Sequence, residues 1–192
     1  MRLLGLAIVL SSLLVSLVPA APAKDCVGNG PGKFTLRAVY IVSHHNGASY
    51  KPVQVMPVQT QPHLGWAIMT AATSGGSGKP FDYEILNNGV ITAHINNQQY
   101  PRGTSVSVVN GSSPAFSVTQ YPPMHATDYC LMKNPLDPGG PQFLAVNGRD
   151  DAWALCYNST SGREDVVYAP ASNSKMKQCE GVYLQVQVLP MD

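Results

Sequence analysis

The pair Asn88-Gly89 sits between Tyr83-Glu84-Ile85-Leu86 and Val90-Ile91-Thr92-Ala93. Two strand-forming runs separated by two residues that both tolerate positive φ leave the backbone one economical solution, a tight antiparallel hairpin. Asn46-Gly47, Asn110-Gly111 and Asn147-Gly148 repeat the signal between other strand-like runs. Those runs are rich in aromatic and β-branched residues: Phe34 to Val42, Val53 to Val58, Trp66 to Thr70, Tyr83 to Leu86, Val90 to His94, Ser105 to Val109, Phe143 to Val146, Trp153 to Tyr157 and Val182 to Leu189. No segment keeps a helical period. The expected fold is all-β, an antiparallel sandwich or barrel of many short strands. In the last run, alternation puts Val182, Leu184, Val186 and Val188 on one face and Tyr183, Gln185 and Gln187 on the other. Tyr183 therefore points away from the apolar face.

The chain opens with Met1-Arg2, an apolar run from Leu3 to Val18, and the small residues Ala20, Ala21 and Ala23. A basic tip, a short apolar segment and a small-residue exit describe a secretory signal peptide, residues 1–20, with cleavage after 23 as the alternative. The run is shorter than a membrane span needs, and no second one follows. The C-terminal Val188-Leu189-Pro190-Met191-Asp192 lacks the tail of a glycolipid-anchor signal. An exported protein with no membrane anchor is expected, free in the medium or held at the cell wall. Residues 21–192 read as one β domain, since about 170 residues bury a single substantial core. The polar run Thr73 to Lys79 is a surface loop, or a seam between two β subunits near 73–80, and the loop is the favoured reading.

Export makes the cysteines informative. Cys26, Cys130, Cys156 and Cys179 are an even set in an oxidising compartment, which reads as two disulfides with three connectivities open. No close Cys-x-x-Cys pair supports zinc. Asn110-Gly111-Ser112 and Asn158-Ser159-Thr160 are acceptor patterns for N-glycans. Removing Arg2 from the 12 Lys and Arg leaves 11 against 11 Asp and Glu, so the mature chain is neutral. Nucleic acid is a poor partner for such a chain.

Catalytic spacing motifs are missing. His44 and His45 are neighbours on an extended segment and face opposite ways, and joining one of them to His63 matches no ligand spacing, so neither metal nor cofactor is expected. His44 and His63 stay as candidate binding residues beside Tyr183. A carbohydrate-active enzyme would draw two carboxylates from Asp82, Glu84, Asp150, Asp151 and Glu164. Asp150-Asp151 and Glu164-Asp165 read instead as solvated loop acids beside Arg149 and Arg163. No Gly-x-Ser-x-Gly elbow occurs. The aromatic residues offer a flat platform for sugar rings, although Trp66 and Trp153 sit among apolar neighbours and read as core.

Three segments of the second half resemble small secreted fungal cell-wall proteins of the phialide-associated, IgE-binding type: Tyr83-Glu84-Ile85-Leu86-Asn87-Asn88-Gly89-Val90, Trp153-Ala154-Leu155-Cys156, and Cys179-Glu180-Gly181-Val182. The first half departs from that pattern. The resemblance implies a non-enzymatic, disulfide-bonded β-protein of the wall or medium, with no catalytic residues to carry over. It also implies pairing of Cys156 with Cys179, leaving Cys26 with Cys130. The shorter bridge would enclose the polar stretches 158–162 and 171–175 and is expected to be the more stabilising one. The expected activity is binding, to wall polysaccharide or to a host or other extracellular protein, with a glycan-binding module or glycoside hydrolase as the alternative.

Overall fold

A computed structural model describes residues 26–42, 49–61, 64–72, 78–98, 102–118, 125–134, 137, 139–171 and 177–190. The signal segment, His44, His63 and Asn46-Gly47 lie outside them. The described residues form thirteen strands and no helix: β1 (Cys26–Val27), β2 (Phe34–Tyr40), β3 (Tyr50–Gln61), β4 (Leu64–Ala71), β5 (Tyr83–Asn87), β6 (Val90–His94), β7 (Gly103–Ser105), β8 (Ala115–Val118), β9 (Tyr129–Met132), β10 (Phe143–Val146), β11 (Trp153–Asn158), β12 (Arg163–Tyr168) and β13 (Lys177–Val188).

Among the described residues all strand pairings are antiparallel, and nine strands close a ring in the order β13-β2-β5-β6-β7-β8-β4-β12-β11 and back to β13. Strand β3 is shared inside that ring. It pairs with β2 through Leu36↔Val53 and with β4 through Val55↔Met69. Closure removes the unpaired edges that would otherwise invite aggregation. Strands β10, β9 and β1 extend the sheet outward from β13.

Alternation fills the interior. Phe34, Leu36 and Ala38 of β2 point in, as do Ala67, Met69 and Ala71 of β4 and Val182, Leu184 and Val186 of β13, each at most 4 % exposed. Trp153 closes one wall, with its indole N–H donating to the Leu144 carbonyl at 2.8 Å and its ring edge-on to Tyr168 at 5.1 Å. Burial of the indole is stable only because that donor finds a partner.

The Asn88-Gly89 turn has φ of 48° and 79°, the two-residue hairpin geometry its sequence demands. Its second role is in packing. The Gly89 amide donates to Gly28 O and its carbonyl accepts from Tyr129 N. A Cβ on Gly89 would lie 2.3 Å from the Thr127 carbonyl oxygen, so this close approach requires glycine. The same neighbourhood carries the Cys26–Cys130 disulfide, which spans 104 residues and fastens β1 to β9. Cys156 and Cys179 are directly opposed partners of β11 and β13 and are joined by the second bridge, across 23 residues.

Several expectations change. Val106 to Val109 is not strand, and Val188, at the end of β13, is 59 % exposed although still paired with Phe34. Strands β1, β8, β9 and β12 were not expected. Glu164 and Asp165 lie on β12 rather than in a loop, and Asp165 and Asp150 are buried. The segment enclosed by Cys156–Cys179 is therefore ordered at its centre by pairing with β11 and β4, not by the disulfide alone.

Candidate functional site

With Leu36 and Ala38 turned inward, Arg37 and Val39 of β2 must face out. Register then assembles a row across four strands on the outer surface: Pro52 of β3, Arg37 of β2, Gln185 of β13 and Phe143 of β10. The adjacent row is Tyr50, Val39 and Tyr183. Arg37 holds the centre. Its Nε donates to Gln185 Oε1, and its guanidinium carbon stands 4.7 Å over the Tyr50 ring centroid. Phe143 and Tyr183 meet with ring centroids 5.2 Å apart and planes tilted by 41°. Tyr50 is 44 % exposed, while Gln185 lies beneath its neighbours at 7 %.

Each contact limits motion. The cation over an aromatic face and the Nε hydrogen bond hold the guanidinium in place, leaving its terminal N–H groups as outward donors. Among the described residues no carboxylate pairs with Arg37. The outcome is a fixed polar fork between two aromatic surfaces. Beside it, at the far end of β13, an open groove of about 490 Å³ is lined by Lys133, Gly139, Gly140, Gln142, Gln187 and Val188, among others. That volume falls in the range of ligand sites.

Tyr183 is the sequence candidate that this face contains. His44 and His63 lie outside the described residues. Trp153 is core, whereas Trp66 is only partly buried, on the outward side of β4 opposite Ser117. Arg37, Gln185 and Phe143 escaped the sequence reading. Outward alternation was the only signal for Arg37, and its partner is 148 residues away.

The acids are engaged elsewhere. Asp82 accepts from the Asn96 amide and lies 3.7 Å from Lys79. Asp151 pairs with Arg149 at 3.2 Å and Asp165 with Arg163 at 3.0 Å, as their neighbourhood in sequence suggested. Both carboxylate oxygens of Glu164 accept from Lys51, at 2.8 and 2.6 Å. Burial alone would lower the Lys51 pKa, but the hydrogen bonds to Glu164 and Tyr40 outweigh it and hold the ammonium above its ordinary value. Glu84 is 2 % exposed and faces the core, with burial raising its pKa to about 8. By strand register, none of the five candidate acids joins the rows that hold Arg37 and Tyr183. Among the described residues no three His, Cys, Asp or Glu groups gather to hold a metal.

His94 stacks on Tyr83 at 5.2 Å and 6°, and Lys33 covers that tyrosine ring at 5.2 Å. Burial, and then the charge of Arg102, lower the His94 pKa. With a histidine and a lysine already against Tyr83, this second aromatic cluster is internally occupied. Asn110 is exposed in its turn. Asn158 uses its amide nitrogen on Asp165 Oδ2 at 3.1 Å and its oxygen on the Thr160 amide at 3.1 Å.

The chain matches no family model, no curated protein and no solved structure. Its class rests on its own geometry: an all-β, disulfide-stapled closed barrel with an aromatic and arginine-bearing outer sheet face. Two disulfides suit an oxidising compartment.

Proposed function

We propose that this is an exported, wall-associated protein that acts by binding polysaccharide rather than by catalysis. The observation that carries the reading is the outer face itself, where Tyr50, Tyr183 and Phe143 flank the Arg37–Gln185 hydrogen bond. Aromatic surfaces stack on the apolar side of a pyranose while the terminal N–H groups of the guanidinium, held in place by Gln185, take hydroxyls, and rigid groups lose little entropy on doing so. The positions of the candidate acids among the described residues support it further. A hydrolase needs an acid and a second carboxylate across the substrate, and the candidate acids are engaged or buried on other elements. Neutral charge after export and two disulfides agree with life outside the cell, and the resemblance to fungal wall proteins supplies the setting.

The test is retention of the secreted protein on insoluble chitin and β-glucan, compared with Arg37→Ala and Tyr183→Ala variants. Retention on at least one polysaccharide, weakened about tenfold by either substitution, is the expected outcome for loss of one well-placed contact of ~1.4 kcal/mol. If the wild type passes through every polysaccharide unretained, the reading is wrong and a protein partner becomes the occupant of this face.

A further inference from the structure

The groove at the end of β13 extends the binding face in one direction. Tyr183, Gln185 and Gln187 occupy successive outward positions of a single strand, so they are spaced by about 7 Å and together span about 13 Å. Tyr183 belongs to the aromatic pair, Gln185 to the arginine fork, and Gln187 to the groove wall. Gln142, immediately before β10, is tied to β13 where its carbonyl accepts from the Val186 amide at 2.9 Å. Aromatic surface thus passes directly into a polar trench along β13.

The trench has the chemistry of a hydroxyl-binding site. Its polar side chains are the amides of Gln142 and Gln187 and the ammonium of Lys133, while Pro141, Val186 and the exposed Val188 add apolar surface. The opposite wall is a tight turn in which the Gly140 amide donates to Asp137 O at 2.9 Å. A side chain on Gly140 would strike the Asp137 carboxylate, at 2.2 Å from its Oδ2, so glycine allows the turn to close. Gly139 differs, because a Cβ there meets nothing within 4 Å. The trench is bounded on that side by bare backbone.

Resting on the polysaccharide reading above, we infer that the Lys133–Gln142–Gln187 groove is a further sugar subsite and that the ligand is a linear, unbranched glycan lying along β13. Tyr183 and Gln187 lie in line on one strand about 13 Å apart, farther than a single hexose ring reaches, so a ligand that touches both the aromatic pair and the groove spans several linked units. Affinity must then grow with chain length until the groove is filled.

The experiment is titration calorimetry of the full secreted protein with chito-oligosaccharides and β-1,3-gluco-oligosaccharides of two to six units. For the series that binds, the hexamer is expected to bind at least tenfold more tightly than the dimer. Gly139→Trp adds bulk at the trench lining, where a Cβ meets nothing within 4 Å, and its melting temperature is compared with the wild type to establish that the fold is kept. It should return the hexamer to the affinity of the dimer and leave the dimer unchanged. As a second variant Gln187→Ala should reduce the length gain without affecting the dimer. A hexamer no tighter than the dimer, or a length gain that survives Gly139→Trp, overturns the subsite while leaving the aromatic face as the binding site. Absence of binding by every oligosaccharide and every insoluble polysaccharide overturns both.

Discussion

Glu84 offers a sharp physical test of the barrel interior. Its carboxyl is 2 % exposed, faces the core between Phe34 and Ala93 in register, and its Oε2 finds no hydrogen-bond partner among the described residues. Burial pushes its pKa up to about 8, against an ordinary value near 4.3 in the unfolded chain. Between those values the unfolded chain gives up the proton and the folded chain keeps it. The contribution to stability is therefore fully present below about pH 4.3 and is lost as pH rises through about 8, at roughly 1.4 kcal/mol per unit. At pH 7 the loss amounts to about 3.5 kcal/mol relative to pH 4. Glu84→Gln keeps the shape of the neutral acid and removes the titration. The variant should match the wild type near pH 4 and exceed it by about 3.5 kcal/mol at pH 7, which for a domain of this size is roughly 7 to 14 °C in Tm. Urea and thermal unfolding of both proteins at half-unit steps from pH 4 to 8.5 would show it, because other titrating groups cancel in the difference. Parallel profiles across that window would mean that Glu84 is ionised or hydrated in the fold, and the argument from burial would fail.

Replacing Cys156 and Cys179 together by serine should cost about 3 kcal/mol in the chain-entropy account and speed protease cleavage between β12 and Cys179 rather than within β12, read by melting and limited proteolysis. The Cys26–Cys130 bridge encloses 104 residues against 23, so its removal should cost more, about 4.7 kcal/mol, reversing the ranking expected from sequence. Gly89→Ala places a Cβ against the Thr127 carbonyl at a φ of 79° and should destabilise by ~3 kcal/mol in urea melts, whereas Gly148→Ala, in open space at a φ of 74°, should cost only the ~1 kcal/mol of backbone strain. Peptide mass spectrometry of the secreted protein should find a glycan on exposed Asn110 and none on Asn158, whose amide is held by Asp165.

The all-β fold was legible where side chains and backbone agree locally. Asn88-Gly89 and its flanks became the β5–β6 hairpin with one residue added to β5, because the turn chemistry needs no distant partner. Strand β12 was hidden by its first three residues, Arg163, Glu164 and Asp165, which read as loop until Lys51 and Thr70 from other strands satisfy them. Strand β9 carries no alternation, since Tyr129 to Met132 is buried on both faces between the core and the Cys26–Cys130 cluster. The binding face shows the same limit. Alternation alone sends Tyr183 outward, but Arg37 and Gln185 meet only because the barrel pairs β2 with β13, a non-local choice with no short-range signature.

Amide chemical-shift mapping of the isotope-labelled secreted protein, titrated with the oligosaccharide that binds, tests the central claim most directly. The account predicts the largest changes at Arg37, Phe143, Tyr183 and Gln185, extending to Gln187 with longer chains, and none on the β5–β6 hairpin. Shifts centred on Tyr83 and His94, or spread over the Lys51–Glu164 end of the barrel with the Arg37 face silent, would contradict it.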